Sequence, residues 1–240
     1  MNQTRADRAV LAAISILMLS SPACIVEETK PSTIEHEAKT VDRNGAKSVQ
    51  MDVEMSAGEL KMRGGAASLL DAEFRYNSSA RKPEVSYQVD GSVGRLTVKE
   101  PHHTTVGSNR KIEWDLRLNE DIPIDININL GAGQSRLDLG TIALHSLEVN
   151  MGAGDLKLDL TGHPRNDMDI RVNGGVGQAT IRLPRRARLD VEAHGGLGSI
   201  NANGLTKQGD RWVNEPQGNV DSTIHVNVSG GIGNINLICE

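Results

Sequence analysis

The sequence has almost no aromatic side chains, because Phe, Trp and Tyr together make up 2% of its 240 residues. A core without aromatic rings must be filled by Val, Ile, Leu, Ala and Met, which favours a narrow or repetitive structure over a bulky globule. A block of basic residues is missing as well, and the formal net charge is −5. Since nucleic-acid-binding proteins usually carry a clustered basic face, we expect no nucleic-acid partner.

Long hydrophobic runs are also absent, and no segment has the roughly 18 consecutive apolar residues of a membrane-spanning helix. The apolar stretch Ala9–Leu19 is too short to span ~30 Å of hydrocarbon, and it follows a positively charged start. Ser21-Pro22-Ala23-Cys24 comes next, with small residues before the cysteine as at a signal-cleavage site. We therefore predict a signal peptide over residues 1–23 and lipidation of Cys24, with plain secretion and an uncleaved anchor as alternatives.

The segment that follows Cys24 is polar, with Pro31 and mixed charges up to about Lys47. This composition predicts a tether, residues 24–46, that holds the folded part away from a membrane. The expected location is the cell envelope, with the membrane as partner through the lipid anchor. Ile25 does not resemble the aspartate signal for inner-membrane retention, so the outer membrane is favoured in a Gram-negative host. A secreted or periplasmic protein is the alternative.

Cysteine is scarce, with only Cys24 and Cys239 in the chain. Two cysteines in an exported protein can form a disulfide, but lipidation of Cys24 would consume its thiol. Cys239 also stands where the repeats described below place leucines on the inner face. We therefore predict that Cys239 is a buried free thiol.

Glycine, in contrast, is abundant at 25 residues, and much of it recurs in one pattern. A short glycine-ending turn joins two runs in which apolar and polar residues alternate, as in LEVNMGAGDLKLDL at residues 147–160. Such alternation is typical of half-buried β-strands. The unit recurs about every 21 to 23 residues, with three insertions. The last glycines of the seven turns are Gly58, Gly94, Gly133, Gly154, Gly177, Gly198 and Gly233.

Alignment on this last glycine gives columns of constant character. The columns one before, five before and four after the glycine are apolar, so we expect them to face inward, and the columns one and three after it are polar. One unit cannot bury its apolar face alone, whereas stacked units can. The pattern predicts an all-β fold, a β-solenoid or right-handed β-helix-like stack of about seven repeats, with an antiparallel β-sandwich as the alternative.

The glycine turns raise the question of phosphate binding. A nucleotide-binding fingerprint needs one glycine turn that leads from a strand into a helix, whereas these turns lead into another strand. We interpret the seven glycines as structural, because glycine supplies positive φ and room for close stacking at a corner. No cofactor is expected.

Four segments resemble the toastrack family of bacterial envelope domains, related to LiaF-like cell-wall-active-antibiotics response proteins. They are GELKMRGGAASLLDAEFRYN, KPEVSYQVDG, RKIEWDLRLNEDIPIDI and the GAG repeats. The resemblance implies a toastrack-like β-repeat domain at 47–240, with an N-terminal part at about 47–125 and C-terminal repeats at 126–240. It also implies a non-enzymatic protein linked to envelope stress. Family members usually have multi-span membrane anchors, whereas this chain begins with a lipobox-like segment.

Candidate chemistry is sparse in the sequence. His102 and His103 are adjacent in a loop and lack a third ligand nearby, so no metal site is expected. Asp138 and Asp159 occupy equivalent positions, but their column also holds Arg, Lys and Asn, which is typical of a solvated face rather than a catalytic pair. Asn129, Asn150 and Asn173 are equivalent in three successive units. We predict a stacked amide ladder for them, with a sugar-binding strip and ordinary solvated residues as alternatives. Trp212, in an inserted loop, is expected to act as a lid over the interior, with a ligand anchor as the alternative.

The function that these observations favour is that of a non-catalytic envelope lipoprotein, a β-repeat scaffold or binding module with an envelope protein or glycan as partner. Two alternatives remain. One is a glycan-binding or glycan-cleaving β-helix protein, and the other is an adhesin-like surface protein.

Overall fold

The computed structural model describes residues 34–77, 82–101, 112–164, 166–216, 220 and 222–240, and within them every regular element is a β-strand. The strands are β1 (Glu35–Val41), β2 (Ser48–Gly64), β3 (Leu70–Tyr76), β4 (Glu84–Asp90), β5 (Val93–Lys99), β6 (Ile112–Leu118), β7 (Ile124–Asp138), β8 (Leu144–Asp159), β9 (Met168–Leu183), β10 (Arg188–Leu197), β11 (Ile200–Asn203), β12 (Thr206–Gln208), β13 (Arg211–Val213) and β14 (Thr223–Cys239). The described part of the chain has no helix long and apolar enough to cross a bilayer.

Five strands, β2, β7, β8, β9 and β14, are 15 to 17 residues long and each passes through one of the glycine turns. They lie parallel and in register, so that glycine pairs with glycine from strand to strand. Each of these strands has a first limb before the glycine and a second limb after it. The first limbs pair with one another in one parallel stack, and the second limbs pair with one another in another. β10 and β11 supply the two limbs of a sixth rung, and both pair with β14.

The order of the rungs across the sheet is β2-β7-β8-β9-β14-β10, within a single mixed sheet of 14 strands. This arrangement confirms the all-β, solenoid-like prediction. It differs from a simple stack in one respect, because the last repeat of the chain inserts between β9 and β10. Antiparallel strands occur only at the flanks of this described sheet, in the pairs β1–β3, β3–β6, β4–β5, β10–β13 and β12–β13.

The core lies between the two limbs. In β2 the first limb buries Val49, Met51 and Val53, and the second limb buries Leu60 and Met62. Equivalent residues of the other rungs join them in one continuous hydrophobic cluster. Because the six rungs contribute Leu, Ile, Val, Ala and Met, the part of the core between them has no aromatic filling, and the aromatic members of the cluster come from the flanking strands. The one aromatic pair of the described residues, Phe74 and Trp114, meets edge to face at 5.6 Å near the β3–β6 flank.

Three sequence-based expectations need correction. The predicted tether is wrong from Glu35 onward, because β1 pairs with β3 along its whole length. Gly94 is not a corner glycine, since β5 forms a hairpin with β4 through Gly91 and pairs with the first limb of β2. The apolar column directly before the corner glycine faces solvent, because the strand bends there and the inward–outward alternation changes phase.

Candidate functional site: the glycine corner and the adjoining groove

Six of the seven predicted glycines form one column across the rungs. In sheet order they are Gly58, Gly133, Gly154, Gly177, Gly233 and Gly198, and their φ angles all lie between 132° and 154°. L-residues rarely adopt this backbone conformation, so glycine is required on conformational grounds. Gly94, the seventh, has no positive φ.

Steric crowding adds a second reason for glycine at the corner. A Cβ at Gly154 would overlap the carbonyl oxygen of Gly133, and a Cβ at Gly177 would overlap that of Gly154. The same overlap occurs two residues earlier, where a Cβ on Gly152 would lie 2.5 Å from the carbonyl oxygen of Gly131. This second glycine column comprises Gly131, Gly152, Gly175, Gly231 and Gly196. The sequence analysis did not single out this second glycine column, although the repeated Gly-x-Gly motif was a signal for it.

The residue between the two glycine columns projects to the outside. On the first three rungs it is alanine, whereas on the last three it is Val176, Ile232 and Leu197, which are 52%, 52% and 70% exposed. Together with the alanines these side chains form an apolar row along the corner, which we call the corner ridge. Its members are Ala57, Ala132, Ala153, Val176, Ile232 and Leu197.

The predicted amide ladder is present on the outer face of the first limb. Asn150 Nδ2 donates to Asn129 Oδ1 at 3.1 Å, and Asn173 Nδ2 donates to Asn150 Oδ1 at 2.8 Å. Asn150 Nδ2 also donates to Glu148 Oε1 at 3.2 Å. The three carboxamides are half-buried and are held in one orientation by these bonds.

A groove of about 850 Å³ runs beside this ladder, across the strands. We call it the amide groove. The ladder lines it, and the second glycine column forms its floor from Gly131 to Gly231. The groove ends at the β2 rung, where Ser56 N donates to Glu100 Oε2 at 2.8 Å. Glu100 is buried and accepts from a backbone N–H of β2 at the gap between β5 and β6, where the edge of β2 opposite β7 has no neighbouring strand.

A second groove of about 600 Å³ lies further down the same limb and is rich in carboxylates. Most of these charges already have partners within the fold. Arg211 pairs with Asp190 and lies 2.6 Å from Glu192, and Arg171 lies 3.6 Å from Glu148. Asn227 also donates to Glu192 at 3.2 Å. The lining holds six carboxylates and two arginines, so this groove keeps a net negative charge although most of its carboxylates have partners.

The remaining candidate residues from the sequence lie in surroundings that are typical of structural rather than functional residues. Asp138 and Asp159 are neighbours in register, and Asp159 Oδ1 accepts a 2.8 Å bond from Thr161 N, which closes a turn. Cys239 is a buried free thiol as predicted, and burial raises the pKa of this thiol, against smaller opposing effects of Arg185 and Asn214. Trp212 packs half-buried against the core beside β10, and Lys207 Nζ lies 5.4 Å from its ring centroid.

Two predicted positions, Cys24 and the pair His102–His103, lie outside the described residues. Among the residues that the structure does describe, no group of three or more His, Cys, Asp or Glu side chains could hold a metal ion.

Comparison with known proteins agrees with this architecture. Residues 30–182 match the model for the N-terminal domain of toast_rack (DUF2154). A candidate cell adhesion protein from Clostridium sporogenes ATCC 15579 is 33% identical and superposes with a TM-score of 0.83, covering 87% of this chain and 100% of its own. A candidate adhesin from Bacteroides fragilis NCTC 9343 is 13% identical, with a TM-score of 0.32, covering 87% of this chain and 98% of its own. No curated protein matches.

Proposed function

The chain belongs to the toast_rack family, and on that premise we propose that it is a non-catalytic β-repeat binding module that works in adhesion or attachment at the bacterial cell envelope. The observation that carries the proposal is the 33% identity to the Clostridium sporogenes candidate cell adhesion protein, which extends over 87% of this chain. The long outer face of the first limb supports the same role, because six rungs present one continuous polar surface to a partner.

The proposed attachment to the membrane is through a lipid on Cys24, with the outer membrane favoured in a Gram-negative host. An envelope protein or a glycan is the proposed partner, and a link to envelope stress rests on the family resemblance alone. Mass spectrometry of the mature N-terminus tests the anchor. An acylated Cys24 at the first position is expected, whereas an unmodified cysteine or an intact Met1 would contradict the anchor without affecting the binding role.

A glycan-cleaving enzyme has less support. Cleavage of this kind generally uses two carboxylates on either side of the scissile bond. Asp138 and Asp159 instead lie side by side on adjacent rungs, and Asp159 is occupied by its contact with Thr161.

The experiment that tests the proposed function measures binding to whole envelope material. The Cys24→Ala full-length chain, which lacks the proposed anchor, is incubated with purified envelopes and sedimented. We expect it to co-sediment and to release no new reducing ends from the glycan. A variant with a disrupted core, Leu158→Asp, serves as the control for sedimentation that does not depend on the folded domain. Recovery of the Cys24→Ala chain in the supernatant, or appearance of reducing ends, would refute a non-catalytic binding module.

A further inference from the structure

The amide groove crosses five rungs of the stack, and four of them line it with uncharged groups. Building on the proposed binding role, we propose that it binds a linear, uncharged, β-linked glycan strand that lies across the β-strands, with about one sugar for each rung. Four properties of the groove support this assignment, namely its floor, its repeat distance, its charge and its free hydrogen-bonding groups.

Glycine backbone forms part of the groove lining on four successive rungs. Gly131, Gly152, Gly175 and Gly231 stand at successive rungs, and each lacks a side chain for the steric reason given above. The ladder amides Asn129, Asn150 and Asn173 stand along the groove, two positions before these glycines. A flat chain can therefore lie along the stack axis without meeting a side chain on the floor.

The repeat of the groove distinguishes between extended ligands. Adjacent rungs are ~4.8 Å apart, so the five rungs from β2 to β14 span about 19 Å. An extended peptide presents side chains to one face only every ~6.6 Å, which falls out of step with the rungs after one or two residues. A β-1,4-linked glycan advances by roughly one rung spacing per sugar. Because successive sugars are turned over along such a chain, every second sugar can meet an equivalent set of groups at every second rung.

The charge of the described lining of the groove disfavours polyanionic ligands. No Lys or Arg is among the described residues that line it, and its two carboxylates, Glu54 and Glu100, stand together at the β2 end. A phosphate-rich polymer or a nucleic acid would meet no counter-charge there. The β7, β8, β9 and β14 rungs contribute only amide, hydroxyl, glycine and aliphatic groups to the lining, which suits the hydroxyl and acetamido groups of a neutral sugar.

The ladder also leaves hydrogen-bonding capacity at both ends. Within the described part of the chain, Asn129 Nδ2 and Asn173 Oδ1 have no hydrogen-bond partner, and neither does the Ser229 hydroxyl on the next rung. A hydrogen-bonding site held in one orientation discriminates well between ligands that match it and those that do not. Because none of the described residues that line the groove is aromatic, each sugar should bind weakly, and affinity should depend on the number of rungs occupied.

The test uses the full-length chain and defined oligosaccharides in isothermal titration calorimetry. Chitohexaose and cellohexaose are the β-linked probes, their dimers and tetramers give the length series, and maltohexaose is the α-linked control. We expect affinity to rise by at least tenfold from dimer to tetramer for at least one β-linked series. Failure of both β-linked hexamers to bind, a flat length series, or equal binding of maltohexaose would overturn the proposal.

A matched pair of variants locates the site. Asn150→Leu removes the centre of the ladder, and Asn201→Leu removes an equivalent amide on the outer face of the other limb, where Asn201 Nδ2 donates to Asn236 Oδ1 at 3.1 Å. We expect Asn150→Leu to lose at least tenfold in affinity and Asn201→Leu to bind normally. Equal loss in both variants would contradict the assignment.

Nuclear magnetic resonance of the unaltered protein keeps the test decisive if Asn150→Leu fails to fold. Titration with chitohexaose and with cellohexaose should shift the Asn side-chain amides of the ladder and the backbone amides of Gly131, Gly152 and Gly175. Shifts confined to other surfaces would refute the site. If the protein sediments with whole envelopes but binds no β-linked oligosaccharide, the proposed binding function stands and only the glycan assignment fails.

Discussion

The first three rungs and the last three rungs of the sheet place their large apolar side chains at different positions of the glycine corner. On β2, β7 and β8 a large side chain, Met55, Leu130 or Met151, lies three residues before the corner glycine, and the residue directly before that glycine is alanine. On β9, β14 and β10 the first of these positions is glycine, and the second is Val176, Ile232 or Leu197.

This exchange moves apolar volume from the inside of the corner to its outside. Met55 and Leu130 are buried, whereas Val176, Ile232 and Leu197 are more than half exposed. A small cavity of about 30 Å³ lies at the corner of the β9 and β14 rungs, where Gly174 and Gly230 lack side chains. The same repeat pattern therefore supports a packed corner at one end of the stack and a thinner corner with an apolar surface at the other.

The largest effect is expected from a charge in the part of the core that both ends share. Leu158 is buried on the second limb of β8, so Leu158→Asp places an unpaired carboxylate in the interior and should unfold the domain, at a cost of more than ~4 kcal/mol. Lys157 is exposed on the same strand, and Lys157→Asp should change stability by about 0.5 kcal/mol or less. Urea unfolding monitored by circular dichroism measures both, and similar losses would mean that the inner and outer faces are assigned incorrectly.

The next effect separates the corner glycines from ordinary turn glycines. Gly154→Ala combines an unfavourable φ with overlap on the carbonyl of Gly133, and should cost about 2–6 kcal/mol. Gly209 also has a positive φ, of 63°, but nothing lies within 4 Å of its Cβ position. Gly209→Ala should therefore cost only about 1 kcal/mol. Thermal melts compare the two, and a Gly154→Ala chain as stable as Gly209→Ala would contradict the crowded corner.

The exchange of apolar volume itself is tested by two truncations at opposite ends. Leu130→Ala removes a buried corner side chain and should cost about 2–5 kcal/mol. Leu197→Ala removes an exposed one and should change the free energy of unfolding by at most about 0.5 kcal/mol. A destabilising Leu197→Ala in dilute protein would show that the corner ridge is covered in the native state.

The smallest effect is a predicted gain in stability. Gly174 has no positive φ, and a Cβ there would approach no closer than 3.9 Å to the Ser229 carbonyl oxygen. Gly174→Ala should therefore stabilise the protein by about 0.4–1 kcal/mol, because it restricts the unfolded chain without strain. Gly152→Ala, in the second glycine column, serves as the contrast and should be destabilising, since its Cβ would lie 2.5 Å from the Gly131 carbonyl oxygen. A loss of stability in Gly174→Ala, measured by the same melts, would argue against spare room at the thin corner.

Most of the fold could be predicted from the sequence, because equivalent positions of the repeat show which residues face inward and which ones lie side by side on neighbouring rungs. The alternation on either side of Gly154 assigns Leu156 and Leu158 to the interior, and the structure buries both. The equivalence of Asn129, Asn150 and Asn173 was sufficient to predict the amide ladder. Both inferences succeed for one reason: parallel, in-register rungs place equivalent sequence positions side by side.

The errors arose where the chain departs from that local rule. Gly94 fits the sequence columns, but its strand pairs by hairpin with β4, and no local signal reveals which partner a strand selects. The polar residues of β1 look like a tether because an edge strand needs little apolar surface when a neighbour supplies its hydrogen bonds.

The sequence by itself determined that this protein is an all-β repeat with glycine corners, a buried Cys239 and amides in register, since each of these follows from period and residue type. Only the tertiary structure decided that β14 inserts between β9 and β10, that the residue before each corner glycine faces solvent, and that the ladder borders a groove floored by glycine backbone. The physical reason is that strand order and the bend of a rung depend on contacts between distant segments, and a one-dimensional pattern specifies which residues can pair without specifying which ones do.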